Sequence, residues 1–171
     1  MIKGGGKSKG ASFEREVCVM LSRWISNGVQ DDVFWRSAMS GGRATVAQKA
    51  GRTRLASQVG DVSCISPIGN RFASNFGIEC KHYADLDYKG ILTSKGKLIQ
   101  FWEEIHEQAS MHDKSPFMIC RQNRMPTHIC LSIIGLRLLD LNDGDTVLIS
   151  WPNDLFILDA EHFVKVCKPM I

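Results

Sequence analysis

Apolar residues recur at helical spacing over residues 11–27, where Phe13, Val17, Met20, Leu21 and Trp24 fall on one face. Ser12 is placed to cap that helix and Asn27-Gly28 to stop it. Residues 33–37 read as a short strand. Residues 38–60 hold four glycines, small residues and basic charges, and read as a long loop with a helical turn around 44–50. Residues 61–66 (DVSCIS) read as a strand, 67–70 as a turn, and 73–82 as holding a second strand that ends in IECKH. Residues 95–111 form a helix with Leu98, Phe101, Trp102, Ile105 and Ala109 on one side. Strands are predicted at 116–121, 128–134 and 146–151, and a short final helix at 160–166. The order is α-β-β-β-α-β with β-rich material after it, which places the chain in the α/β class.

At 171 residues, 44% of them hydrophobic, the chain is long enough to bury one core without staples, and it is neither disordered nor collagen-like. One domain is expected over residues 11–171, with 1–10 as a flexible basic arm, a basic loop at 38–60 and a C-terminal extension over about 122–171. No uncharged apolar run is long enough to span a membrane, and no apolar stretch follows the N-terminal lysines as in a signal peptide.

The net charge of +3 changes that picture only when resolved along the chain. Residues 1–10 and 38–60 together carry +7 and no acid, so the remainder is −4. Two basic segments on an acidic body suit a polyanion such as nucleic acid; the alternative is two solvated loops. The six cysteines, Cys18, Cys64, Cys80, Cys120, Cys130 and Cys167, form no CxxC pair, and most lie in apolar runs. They read as buried free thiols in a reducing compartment, here the cytoplasm, and not as a zinc or redox motif. Gly6-Lys7-Ser8 ends like a phosphate loop, but the first glycine of that pattern falls on Met1 and no strand precedes it, so that reading is rejected.

The candidate chemistry sits in Asp61 and Glu79-Cys80-Lys81. Alternation along a strand puts Glu79 and Lys81 on one face and Ile78 with Cys80 on the other. If the two strands are antiparallel neighbours joined through the Pro67 turn, Asp61 stands beside Glu79. Two adjacent carboxylates repel unless a cation neutralises them. A hard divalent cation such as Mg²⁺ takes oxygen ligands and activates water on a phosphodiester, with Lys81 stabilising developing negative charge. An ordinary exposed Glu/Lys pair is the plain alternative.

The helix opening Lys9-Gly10-Ala11-Ser12-Phe13-Glu14-Arg15-Glu16 is followed by Phe34-Trp35-Arg36-Ser37, Ser40-Gly41-Gly42, Gly60-Asp61 and Ile78-Glu79-Cys80-Lys81. In this order the segments resemble the PD-(D/E)XK nuclease superfamily, and within it most the archaeal-type Holliday-junction resolvases, over about residues 9–120. The resemblance implies a restriction-endonuclease-like core, a mixed central sheet flanked by helices. It implies Glu14, Asp61 and Glu79 as metal carboxylates, the Cys80 carbonyl as a further ligand, Lys81 near the attacking water, Ser40 as a catalytic helper and Arg36 on DNA phosphate. Glu14 borders the buried face of its helix, being three and four residues before Val17 and Cys18, whereas Glu16 points elsewhere. Gly60 stands where the superfamily usually has proline, and the spacings from Arg36 to Asp61 and from Asp61 to Glu79 are longer than in compact resolvases.

The expectation is therefore a Mg²⁺-dependent DNA endonuclease, with Mn²⁺ able to substitute. It would act on branched DNA as a homodimer, without membrane association, in a cell, phage or mobile element. Lys7, Lys9, Arg43, Lys49, Arg52 and Arg54 would grip the backbone beside Arg36. The rivals are a sequence-specific homing or restriction-type enzyme, with base readout in the C-terminal extension, and a binding module that has lost catalysis. Elsewhere, His106-Glu107 lacks the second histidine of HExxH, and His82, His106, His112, His128 and His162 have no metal-ligand spacing, so surface or satisfied rings are expected. Lys97 and Gln100 are expected on a solvated face and Trp24 and Trp102 in the core, while Trp35 and Trp151 flank strands.

Overall fold

The computed structural model describes residues 5–37 and 60–171. Ser40, Arg43, Lys49, Arg52, Arg54, the helical turn at 44–50 and the side chain of Lys7 lie outside the described residues.

The first helix, α1 (Gly5–Ile25), buries Phe13, Val17, Cys18, Leu21 and Trp24, the face its periodicity marks. It begins at Gly5 and not at residue 11, so Ser12 lies inside the helix and is no cap. Gly5, Gly6 and Gly10 lower helix propensity without stopping a helix, as proline would. The Gly6-Lys7-Ser8 stretch lies within the helix and forms no phosphate loop.

Two short strands, β1 (Phe34–Arg36) and β2 (Val62–Cys64), pair antiparallel with Arg36 opposite Val62. A 3-10 turn at Pro67–Gly69 and a short helix, α2 (Asn70–Asn75), then lead into β3 (Phe76–Tyr83). A second 3-10 turn (Tyr88–Thr93) and α3 (Lys97–Ser110) cross over to β4 (Ser115–Gln122), which runs parallel to β3. The remaining elements are β5 (Thr127–Leu131), α4 (Ile133–Leu138), β6 (Leu148–Ser150), β7 (Leu155–Asp159) and α5 (Ala160–Val166). The main sheet has the order β3-β4-β5-β7-β6, and every pairing but the first is antiparallel.

The sheet separates two apolar layers. Phe117 and Ile119 of β4, Ile129 and Leu131 of β5, and Phe156 and Leu158 of β7 face α1 and α5. The alternate residues Met118, Cys120, Cys130, Leu155 and Ile157 face Leu98, Trp102 and Ile105 of α3. Sandwiching between two helical layers explains why β4 reads as a continuous hydrophobic run. The C-terminal extension is thus part of the central sheet, supplying three of its five strands.

Several local readings are corrected. The strand expected over 128–134 stops at Leu131, because Ser132 caps α4 through the Gly135 N–H (3.1 Å). The two β-branched isoleucines at 133 and 134 imitate a strand but begin that helix. β7 was not foreseen: LFILD is short and apolar throughout, with no alternation to mark it. Asp61 does not reach β3 through an antiparallel hairpin. Helix α2 intervenes, and Gly60 meets Ile78 in a single parallel bridge. Trp24 and Trp102 are core residues, while Trp35 and Trp151 are exposed.

Candidate active site

Gly60 places the site. Its φ is +92°, and a Cβ there would lie 2.1 Å from the Ile78 carbonyl oxygen. Only glycine allows this approach, because the position needs both the left-handed region and no side chain. The Asp61 N–H then donates to the Ile78 carbonyl (2.8 Å), and the Cys80 N–H donates to Asp61 Oδ2 (3.0 Å). The Asp61 carboxylate is therefore fixed at the edge of β3 by the backbone on either side of Glu79.

Glu79 and Lys81 share the face of β3 turned to α3, as alternation requires. Lys81 Nζ donates to Glu79 Oε1 (2.9 Å) and lies 4.9 Å from the centre of the Phe101 ring. On the other side, α1 presents Glu14, and Arg36 Nε of β1 donates to Glu14 Oε2. Glu14 is mostly buried, whereas Glu16 is half-exposed and accepts from Arg121, as the helix geometry requires. A hollow of about 530 Å³ lined by Arg15, Cys18, Trp35 and Arg36 adjoins the Arg36–Glu14 pair. A larger one, about 990 Å³, lies between α1 and the C-terminal segment and is lined by none of Glu14, Asp61, Glu79 or Lys81.

The electrostatics mark a site short of positive charge. Burial, then the field of Glu79, push the Asp61 carboxyl up to about 7; the Cys80 N–H works against this, Glu14 adds to it and Lys81 offsets it. Lys81 loses by burial but gains more from the charge and hydrogen bond of Glu79 and from Asp61, so its ammonium is held above the usual lysine range. It stays charged and cannot serve as a base near neutral pH. Burial raises the Cys18 thiol to about 11 and Cys80 well above its ordinary value, with Glu14 and Asp61 adding to the respective effects, so neither is a thiolate nucleophile. All six cysteines are free.

The structure thus brings Asp61, Glu79, the Cys80 backbone and Lys81 together, with the Glu14–Arg36 pair adjoining. Among the described residues, no three or more Asp, Glu, His or Cys side chains gather closely enough to hold a metal ion. Glu14 is turned to Arg36, and Glu79 to Lys81. The donors that fit a hard cation are the Asp61 and Glu79 carboxylates with the Cys80 carbonyl, a set suited to Mg²⁺ that keeps several of its waters. The Asp61 carboxyl, raised by burial and then by the field of Glu79, fits such a cation, since a divalent ion beside the pair would favour its ionised form.

Lys9 stands apart, its Nζ donating to Asn123 Oδ1 (2.8 Å) beyond the end of β3. Lys97 and Gln100 are exposed, as expected. His82 departs from the expectation of satisfied histidines, because its Nδ1 is buried without a hydrogen-bond partner. Burial, with Lys9 and Arg121 nearby, lowers its pKa, against a hydrogen bond between the ring and the Asn123 side chain and the field of Glu16. Strand alternation alone could have flagged it, since it puts His82 on the α1 side with Ile78 and Cys80.

No helix among the described residues is long and apolar enough to cross a membrane. Comparison with characterised proteins and with solved structures returns no match. A family model described as "Phage putative PDDEXK endonuclease" matches residues 5–150, a span that holds every residue of the site above. The mixed sheet flanked by helices agrees with the restriction-endonuclease-like fold of such enzymes, and the chain belongs to this phage PDDEXK endonuclease family.

Proposed function

We propose that this nuclease is a Mg²⁺-dependent DNA endonuclease that resolves branched DNA as a homodimer. The observation that carries the metal dependence is the juxtaposed pair Asp61 and Glu79, with the Asp61 carboxyl driven up to about 7 by burial and by the field of Glu79. Asp61, Glu79 and the Cys80 carbonyl would hold Mg²⁺, with Glu14 a further candidate ligand from α1 and Mn²⁺ able to substitute. Bound there, the ion supplies a lowered pKa for its water and polarises the phosphodiester. Lys81, charged and fixed by Glu79, stabilises negative charge developing on the phosphate oxygens. Arg36 offers its guanidinium to a neighbouring phosphate, and Glu14 orients it. Ser40 remains a candidate helper, and Lys7, Lys9, Arg43, Lys49, Arg52 and Arg54 candidate backbone contacts.

The preference for junctions rests on the resemblance of the motif order to resolvases. A two-fold dimer follows from that preference, because paired cuts in opposed strands need two equivalent sites. The rival that places base readout in a C-terminal module loses support, since β5, β6 and β7 build the central sheet.

The test is cleavage of a four-way junction, a linear duplex and single strands by wild type and Glu79→Ala, with Mg²⁺ or EDTA. Paired symmetric nicks in the junction alone, lost in the variant and in EDTA, are expected. Cutting of one duplex sequence instead overturns the junction preference, and no cleavage of any substrate overturns the enzyme.

A further inference from the structure

The hollow of about 530 Å³ beside the Arg36–Glu14 pair has no part in the chemistry above. Among the described residues β1 pairs with β2 alone, and its other edge runs along α1. Two contacts fix the direction of that approach. Arg36 Nε donates to Glu14 Oε2, and the Phe34 N–H donates to Ser22 Oγ (2.9 Å). Strand and helix therefore run antiparallel, and the hollow between them has two unlike ends. Arg15 and Arg36 stand at the end next to Glu14. Asp31 and Asp32 stand at the other, where Asp31 lies 3.8 Å from Arg23. Val19 and Trp35 line the space between.

These three parts select an occupant. The arginines take an anion. Trp35, 59% exposed, adds little to the core and leaves a flat apolar ring open to a second one. An open aromatic beside a cation is the arrangement on which a base stacks while its phosphate is held. The carboxylates of Asp31 and Asp32 accept hydrogen bonds and repel a further phosphate. The Arg23–Asp31 pair is exposed on both sides, so Asp31 exchanges that partner at little cost. The occupant is thus anionic at one end, flat in the middle and an N–H donor at the other. A nucleotide has these parts in that order. In a duplex the N–H edge of its base is taken by the complement, so the nucleotide that fits is an unpaired one.

Size and place agree. At a helix rise of about 1.5 Å per residue, Arg15 and Arg23 mark two ends roughly 12 Å apart, a length that takes one nucleotide from phosphate to base edge. The volume falls in the range of single-ligand sites, about 300–1,000 Å³. The phosphate assigned to Arg36 in the proposed function is the natural anchor. Branch points of DNA supply nucleotides that leave the stack at low cost.

We propose that this hollow receives one unpaired nucleotide of the DNA substrate, its base stacked on Trp35 and its Watson–Crick edge donating to Asp31 and Asp32. This rests on the nuclease reading and on the phosphate contact of Arg36. The acceptors rank the bases. Guanine has two N–H groups side by side on that edge, whereas thymine has one between two carbonyls that carboxylates repel. The test measures binding with Ca²⁺ in place of Mg²⁺, on whichever of a four-way junction and a linear duplex wild type binds. At each position along the bound strand an unpaired guanine is compared with an abasic residue. At one position the abasic residue should weaken wild type about tenfold, the scale of one base stacked on an aromatic ring. Trp35→Ala should lose that difference and Trp35→Phe should keep most of it. At the same position unpaired guanine should bind best and thymine worst, and Asp31→Asn with Asp32→Asn should flatten the ranking. All three residues are exposed, so melting temperatures should stay unchanged. Identical abasic profiles in wild type and Trp35→Ala, or a ranking that survives in the double asparagine variant, overturn the proposal. Saturable binding of free dGMP at micromolar concentration, with no abasic position that depends on Trp35, assigns the hollow to a free nucleotide and overturns it too. A wild type that binds DNA but cuts none in Mg²⁺ sinks the nuclease reading, while the scan still decides the hollow. A wild type that binds no DNA overturns both.

Discussion

β3 and β4 are parallel neighbours of eight residues each, paired from Phe76 opposite Ser115 to Tyr83 opposite Gln122. β4 is buried from Ser115 to Cys120, with successive residues feeding the two core layers. β3 is buried only as far as Ile78, and from Glu79 onward, Cys80 apart, its side chains are charged or polar and partly open. Their local geometry is the same, so the cause is position. β4 has a strand on each side, while β3 is the last strand of its sheet, met on its outer side, among the described residues, by the Gly60–Asp61 segment. An edge leaves backbone groups and space for another segment to approach. Here that segment brings Asp61. The candidate site sits where the packing of the sheet gives out, on the strand whose other half is held firmly in the core.

The pair Glu79 and Met118, opposite each other in the register, turns this contrast into a measurement. Glu79→Gln should cost about 10²–10³ in cleavage rate, the scale seen when one preorganised electrostatic group is removed. Its stability at neutral pH should change little, relief of the repulsion on Asp61 offsetting the loss of the Lys81 ion pair. Met118→Ala should do the reverse, losing about 2–5 kcal/mol in urea unfolding through the cavity left under α3, with cleavage per folded molecule unchanged. Equal stability losses in the two variants would dissolve the distinction between the strands.

Legibility in the sequence follows the same division. α1, α3 and β4 were readable because burial imposes a period, and Phe13, Leu98 or Phe117 can stand nowhere else. Glu79 and Lys81 were readable from alternation alone. The approach of Asp61 was not, because it depends on Gly60 at positive φ and on α2, whose residues 70–75 lack the length to show a period. α4 was hidden by two isoleucines behind a serine cap, and β7 by an unbroken apolar run.

The smallest effect tests the edge most directly. With its carboxyl at about 7 in the folded protein against an ordinary value of 3.8, Asp61 is protonated in both states below about pH 4, and there it costs nothing. Between 4 and 7 the unfolded chain ionises while the folded one keeps the proton. Stability therefore falls as pH rises, by at most one proton's worth, about 1.4 kcal/mol per pH unit, and the loss is complete above 7. Asp61→Asn should flatten this slope in urea titrations. On the proposed reading a divalent cation would bind the ionised pair and draw the folded pKa down, so Mg²⁺ should raise the melting temperature at pH 8 and hardly at all at pH 5. The shift should vanish in Asp61→Asn. An equal shift at both pH values, or one that survives in Asp61→Asn, would place the cation elsewhere and leave the edge of β3 an ordinary charged rim. No counterpart exists on β4, where Met118 and Cys120 face α3 and Phe117 and Ile119 face α1. A pH-dependent response to Mg²⁺ thus reports on the edge strand alone.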